Sequence, residues 1–544
     1  MKKNSLTNAV IAGIAGVAGI ASVANAVNLN PDGLGQVLIY PYYTVNGGNS
    51  TLISVVNTTE FGKAVKVRFV EGRNSREVLD FNLYLSPYDV WTGAVYNITG
   101  VTPAVLSTND NSCTVPNIKT NSCLPLNSNG QRYIAFRNLQ YVNLTAFGGS
   151  NFNDAGPNGL DRTREGHLEM IEMAIVTNAT AHASLTAITH DSSGVPTDCP
   201  QVVAAWSSSA NPAVAYWRAD PTTDTLPPTV ENGGGGLFGA AGIIDVANGT
   251  QLTYVPDAID GFSVSNLHAA PGSTSPNLGQ ANFPTPAGAD AIVFNNGSLI
   301  TTSYPLASAI DAVSAVYMHD AIFNEYAVLT VGGMPFLQSE WVVTFPTKNF
   351  YVNKVPPAIL PFQNVFAGAE GAGTAPVDIR LNVYNREEAD GTSDCLDAGA
   401  DACVDFSPSL PGTISTPQLY WEAQVVTFNQ PYPFDGTNAI TGETAVLGSK
   451  LAANVDVGTY SFTEGWMKMR FWDDTINPLN LHISRADAAG QRYVGMPVTG
   501  FWVENTVQSG AAGALANFAG IFKHKGSRCV VPNAAVPAVA CPTN

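Results

Sequence analysis

The chain of 544 residues carries 43 acidic and 25 basic side chains, a formal net charge of −18 at pH 7, yet only 12% of its residues are charged. An acidic balance with no basic run excludes a protein built to neutralise nucleic-acid phosphates and disfavours an anionic lipid surface. So few charges, with abundant Gly, Ala, Asn, Thr, Ser and Val, point to a secreted β-rich surface protein rather than a cytosolic enzyme.

The opening MKKNSLTNAVIAGIAGVAGIASVANA reads as a secretory leader. Lys2 and Lys3 supply the basic end, Ala9 to about Val23 the apolar segment, and Ala24-Asn25-Ala26 the small-residue cleavage site. Residues 1–26 are therefore assigned to a signal peptide, with the mature chain starting at Val27. No later stretch reaches the roughly 18 apolar residues of a membrane-spanning helix. The expected location is secreted or cell-surface, with the periplasm as the alternative.

Export implies an oxidising compartment, so the seven cysteines are expected in disulfides. Sequence proximity pairs Cys113 with Cys123, Cys395 with Cys403 and Cys529 with Cys541, each loop worth about 2–3 kcal/mol. Proximity is the only warrant, and other connectivities stay open. Cys199 is left over, as a buried thiol or an intermolecular bridge.

Gly35–Asn46 reads as an opening strand, placed at a sheet edge because Pro41 interrupts it. Thr51–Val56 follows. From Ala64 to Val70 the pattern alternates: Val65, Val67 and Phe69 on one face, Lys66 and Arg68 on the other. After the turn Glu71-Gly72-Arg73-Asn74-Ser75, Leu79, Phe81, Leu83 and Leu85 share a face, with Asp80, Asn82 and Tyr84 opposite. Period two predicts half-buried antiparallel strands with one face in a core. Residues 95–130 read as a stapled surface loop. Arg132–Leu139 and His167–Val176 are the next strands, and Ala181–Thr189 is expected to pair with the second of them.

Helical spacing first appears after Cys199, at Val202, Ala205 and Trp206. Gly233–Gly236 reads as a flexible connection, not a phosphate loop, because no lysine follows. Phe238–Thr253 carries Asn248-Gly249 between apolar runs, a hairpin signal. Leu306–Tyr326 gives the strongest helical stripe in the chain. Then strands return at Glu340–Phe345, Val377–Tyr384, Leu419–Phe428, Trp466–Trp472 and Met496–Gln508, with Phe518–Lys525 as a short strand or helix.

The predicted fold is mainly β: immunoglobulin-like antiparallel β-sandwich domains with a mixed middle segment containing a few helices. The boundaries are 27–195 for an N-terminal sandwich, 196–335 for the middle segment and 336–544 for a C-terminal sandwich. The stretches LIYPYYTVNGGNSTLISVVNTT and KAVKVRFVEGRNSREVLDFNLYLSPYDVWTG resemble secreted proteobacterial β-rich surface proteins, generally called hypothetical. TREGHLEMIEMAIV, SEWVVTFPTKNFYV and LANFAGIFKHKGSR resemble later blocks of the same group. The resemblance implies a bacterial exported β-protein and brings no activity, cofactor or catalytic residue.

Chemistry is sparse. No G-x-S-x-G elbow anchors a hydrolase triad on any of the seven histidines, and no H-E-x-x-H zinc motif occurs. His167 and Glu169, with Glu165, share a strand face that could take a divalent metal, against the plainer reading of a solvated face. Calcium is the best ligand candidate, because Asp- and Asn-rich loops offer hard oxygens. Three loops qualify: Asn151–Asp161, Asn109–Asn111 with Asp110, and above all Asp390, Asp394, Asp397, Asp401 and Asp405. Turn chemistry alone also favours these residue types. Tyr40, Tyr42 and Tyr43, and Trp466 with Trp472, could stack on sugar rings or simply pack. The expectation is an exported, non-catalytic cell-surface or extracellular-matrix protein acting in adhesion or assembly. Its partners would be other surface proteins, itself or extracellular glycans. The alternative is an extracellular carbohydrate-binding protein or hydrolase with its site between the sandwiches and the middle segment.

Overall fold

The alternation between Ala64 and Leu85 folds as the antiparallel strands Gly62–Glu71 and Glu77–Leu85, with Val65 opposite Leu83 and Val67 opposite Phe81. This is seen in a computed structural model that describes residues 26–142, 153–209, 211, 213–218, 229–282, 288–295, 297–331, 334–353, 359–368, 373–388, 390–392, 406–407, 417–428, 442–457, 461–471, 482–507 and 517–531. The protein is mainly β, with several antiparallel sheets and few helices.

Two sheets enclose the first core. One is ordered Asn28–Leu29, Asp257–Asp260, Val37–Thr44, Glu165–Val176, Gly62–Glu71, Glu77–Leu85, Cys113–Val115. The other is ordered Thr250–Tyr254, Leu237–Asp245, Ser50–Asn57, Val90–Tyr96, Val105–Ser107, Ile134–Ala135. Val65, Val67, Phe69, Phe81 and Leu83 meet Ile53, Val55 and Trp91 between them. A second pair of sheets follows. Asp390–Thr392, Arg380–Asn385, Glu464–Arg470, Ala321–Ala327 and Lys525–Ser527 form one. Phe406–Ser407, Ala452–Val455, Ala423–Phe428, Met334–Thr344, Thr499–Thr506 and Phe518–Lys523 form the other. Residues 196–335 supply strands to all four of these sheets, and Val27, Val37 and Ile39 share a core with Trp341 and Met467.

Several expectations change. Pro41 lies within Val37–Thr44, which is flanked on both sides instead of lying at an edge. A register shift between Gly166 and Leu168 absorbs the missing donor, and the second neighbour pairs only with Val37 to Ile39. The polar face of the hairpin is buried as well. Lys66 pairs with Asp80, Arg68 with Glu77 at 2.9 Å and with Glu169, and the segment around Ala269 and Ala270 lies over them through Asn82 Nδ2 and Lys66 Nζ. Ala181–Thr189 is a short helix, Ser184–Ile188, and not a pairing strand. The helix within Leu306–Tyr326 spans only Ile310–Tyr317, after which Ile322 and Tyr326 turn inward from a strand. The disulfide joins Cys113 to Cys199, with Cα atoms 5.4 Å apart, and Cys123 is an exposed free thiol, so the pairing by proximity fails there. The bond ties the helix Cys199–Ala205 to the sheet edge strand Cys113–Val115. Cys529 is disulfide-bonded; Cys395, Cys403 and Cys541 lie outside the described residues. Among the described residues no helix is long and apolar enough to cross a membrane.

Candidate binding platform on the second sandwich

Glu165 and Glu169 both lie on Glu165–Val176 but serve different partners. The Glu165 carboxylate accepts from Tyr42 Oη at 2.8 Å, Ser449 Oγ at 2.6 Å and the Lys450 N–H at 2.8 Å. Burial nevertheless pushes it above the usual carboxylate range. Burial would also raise Glu169, but Arg68 and His167 together outweigh it and hold that carboxyl low. His167 is fully buried, its Nε2 3.6 Å from Glu169. Among the described residues no group of three or more His, Cys, Asp or Glu could hold a metal ion.

The loop candidates divide. In Asn151–Asp161, Asp154 is held by Arg162 at 2.9 and 2.7 Å and by Asn74 at 2.8 Å, so a guanidinium already neutralises it. Asp110 accepts the N–H groups of Ser112 and Thr92, which is turn chemistry. Asp390 begins the edge strand Asp390–Thr392, its backbone opposite Tyr384. Asp394, Asp397, Asp401 and Asp405 lie outside the described residues. Gly233–Gly236 is a carboxylate cradle rather than a loose connection: the N–H groups of Gly234 and Gly235 donate to Glu172 at 3.1 and 2.6 Å, and Lys63 pairs with the same carboxylate at 2.6 Å.

The early tyrosines Tyr40, Tyr42 and Tyr43 are fully buried in the first core. Trp466 is different. Its strand Glu464–Arg470 is central in its sheet, with Met467 and Met469 inward and Trp466 outward, 40% exposed. Register brings Tyr384 opposite it on one side and Glu325 on the other. The Tyr384 and Trp466 rings stack at 4.4 Å with 15° between planes. Gly465 beside them has no room for a side chain, because a Cβ would sit 1.9 Å from the Tyr384 carbonyl oxygen. The stacked pair floors a depression of about 570 Å³ with Glu325, Arg386 and Glu388 around it.

Charge around the platform is mixed and close. Arg386 Nη1 lies 2.5 Å from Glu464. Glu504 reaches toward the same rim from the other sheet of the sandwich. Burial pushes its carboxyl up, Glu325 and Glu464 add to the push, and Arg386 opposes it. Along the same outward face Lys468 lies over the Phe323 ring at 5.3 Å. Burial lowers its ammonium, and Arg470 adds to the effect. An apolar double ring bordered by carboxylates and a guanidinium can stack on one face of a ring-shaped ligand and hydrogen-bond to its edge. Trp472, the partner expected for Trp466, lies outside the described residues. The alternation of Val377–Tyr384 already placed Tyr384 on a strand, but only register joins it to Trp466.

The buried histidines are held by backbone carbonyls or packed away. His482 bridges the Pro361 and Asp378 carbonyls at 3.2 and 3.1 Å, and His524 Nε2 contacts the Val342 carbonyl at 2.9 Å. His268 packs against Tyr84, Trp206 and Trp217.

No family model, curated protein or solved structure matches this chain.

Proposed function

We propose that this is an exported, non-catalytic cell-surface or extracellular protein that acts by adhesion, holding a saccharide on the Tyr384–Trp466 platform. The observation that carries the reading is the stacked pair itself: two aromatic faces aligned across neighbouring strands, half open to solvent and ringed by hydrogen-bonding groups. Elsewhere the large aromatic side chains Trp91, Trp217 and Trp341 are consumed by the cores. The leader-like N-terminus, the low charge and the resemblance to secreted proteobacterial proteins support export. Asp390, Asp394, Asp397, Asp401 and Asp405 stay the calcium candidate on the ground of their sequence alone.

The test screens the mature protein against immobilised neutral and acidic oligosaccharides, with and without a calcium chelator, and measures hits by titration calorimetry. Trp466→Ala and Tyr384→Ala should each weaken binding at least tenfold, about 1.4 kcal/mol, with the thermal midpoint unchanged. Binding that survives both substitutions refutes the platform. Turnover of a bound glycan refutes the non-catalytic reading, and insensitivity to chelation removes calcium. Recovery of all the native protein as soluble periplasmic material would refute the surface location.

A further inference from the structure

The sheet that carries Ser50–Asn57 has an outer face that the molecule leaves uncovered among its described residues. Its inward side chains, Ile53, Val55, Trp91 and Ile243, fill the first core. The outward positions of its four longest strands, Ser50–Asn57, Val90–Tyr96, Leu237–Asp245 and Thr250–Tyr254, carry no acid and no base. In a chain of net charge −18 it is a place where two copies can approach without facing like charges.

The face also has relief. Leu52, Val90 and Phe238 stand 43%, 45% and 40% exposed, and Val255 just beyond the edge strand is 73% exposed. Among them Ser54, Ala94, Ala240 and Gly242 are small and leave a hollow of about 490 Å³. Gly242 deserves a reason, because glycine weakens a strand interior by roughly 0.5–1 kcal/mol. Its own fold supplies none. A Cβ at Gly242 would meet only the Leu252 carbonyl oxygen and Thr253 Cγ2, both at an ordinary 3.8 Å, whereas at Gly239 it would collide with the Tyr40 hydroxyl at 2.0 Å. Gly239 is glycine for the core beneath it; Gly242 keeps open a space on the outside.

We infer that this face is the contact between two copies of the chain, related by a two-fold axis, with apolar side chains such as Phe238 of one copy seated in the Ala240–Gly242 hollow of the other. An isologous contact needs knob and hole on one surface, and both are present here. Four strands about 4.8 Å apart and about seven residues long span roughly 450 Å². Two such faces bury roughly 900 Å², below the roughly 1,200 Å² of a stable specific interface and in the range of a weak, transient one. The pairing should therefore be concentration-dependent. It stands apart from the saccharide reading, since the platform lies on the other sandwich. It would make the protein bivalent and raise its avidity for a multivalent glycan.

Sedimentation equilibrium of the mature protein from 1 to about 200 µM reads this directly. Wild type should pass from monomer to dimer in that range. Ala240→Arg places two like charges at the axis, and Gly242→Val fills the hollow. Each should raise the dissociation constant at least thirtyfold, while the thermal midpoint measured at 1 µM stays the same or, for Gly242→Val, rises. Thr253→Arg at the border of the hollow is the substitute if Ala240→Arg fails to fold. A wild type that stays monomeric to 200 µM overturns the inference. So does a dimer whose dissociation constant none of these substitutions moves.

Discussion

Replacing Arg162 with methionine tests how the Glu71–Arg76 turn is locked. The guanidinium donates to Glu71 through Nε and Nη2 at 2.7 and 2.8 Å, to Asp154 through Nη1 and Nη2 at 2.9 and 2.7 Å, and to the Pro157 carbonyl at 3.3 Å. It lies 4.2 Å from the Tyr141 ring centre, and all three charged side chains are at most 1% exposed. Methionine keeps much of the volume, leaves Glu71 buried without its cation and leaves Asp154 with only Arg76, its Nε 3.5 Å away. Breaking a buried pair in this way costs about 3–5 kcal/mol. The lower end applies, because Glu71 keeps the N–H groups of Arg73, Asn74 and Arg76, and Asp154 keeps Asn74. Burial alone would raise the Asp154 carboxyl, but the Arg162 hydrogen bonds and charge hold it below the usual range. In wild type that stabilisation is present above the ordinary carboxylate pKa and is lost as pH falls through the folded one. The deficit of Arg162→Met should therefore be about 3 kcal/mol in urea unfolding at pH 7 and shrink toward pH 3. Adding Glu71→Gln and Asp154→Asn should recover at least half of it. A deficit under 1 kcal/mol at pH 7, or a triple variant no more stable than the single one, would refute the reasoning.

Two further outcomes follow from the same structure. Cys113 and Cys199 are 86 residues apart, so their bond closes a long loop worth about 4–5 kcal/mol in chain entropy; reduction should lower the urea midpoint, and native maleimide labelling read by mass spectrometry should mark Cys123 but neither Cys113 nor Cys199. Burial, reinforced by Lys66, lowers His268 to about 3, and burial lowers His524 to about 4. The folded state then binds fewer protons than the unfolded one, so stability is fully present above about pH 6.5 and falls as pH drops toward 4 and then 3. His268→Gln with His524→Gln should flatten that slope by a few kcal/mol between pH 6.5 and 4, and an unchanged slope would show that these rings do not carry it.

What the sequence made legible is local. The alternation in Val65, Val67, Phe69 and Leu79, Phe81, Leu83 is a statement about one face of two adjacent strands, and that face landed in the core as the pattern requires. It said nothing of what lies above Lys66 and Arg68, because the cover comes from residues near Ala269 and Ala270, some two hundred positions on. Pro41 was misjudged for a similar reason. A missing donor argues for an edge only if the facing strand stays in register, and a bulge at Gly166 removes that condition. The stripe from Leu306 onward continued at helical spacing while Ile322, Asn324 and Tyr326 also satisfied period two; pairing with Glu464–Arg470 decided between them. The platform was half legible. Trp466 stood out as an aromatic on a strand, but Tyr384 and Glu325 meet it only through long-range register.

The distribution of charge explains why the sites were harder to find than the folds. Lys63, Lys66, Arg68, Arg162 and Lys348 are all buried, although the chain has only 25 basic side chains. Four of them sit in ion pairs; Lys348 donates to the Tyr420 and Trp421 carbonyls, and burial brings its ammonium down to about 7 against the pull of Glu422. Cations that would otherwise mark a surface site are thus spent on joining elements distant in sequence. The outside keeps an acidic excess diluted among Asn, Ser, Thr and Gly, and recognition rests more on shape and stacked rings than on a strong field of one sign. Such contacts gain little from long-range steering. Self-association should then keep its affinity between 50 and 500 mM salt, because the Gly242 hollow does not depend on a charge that salt can screen.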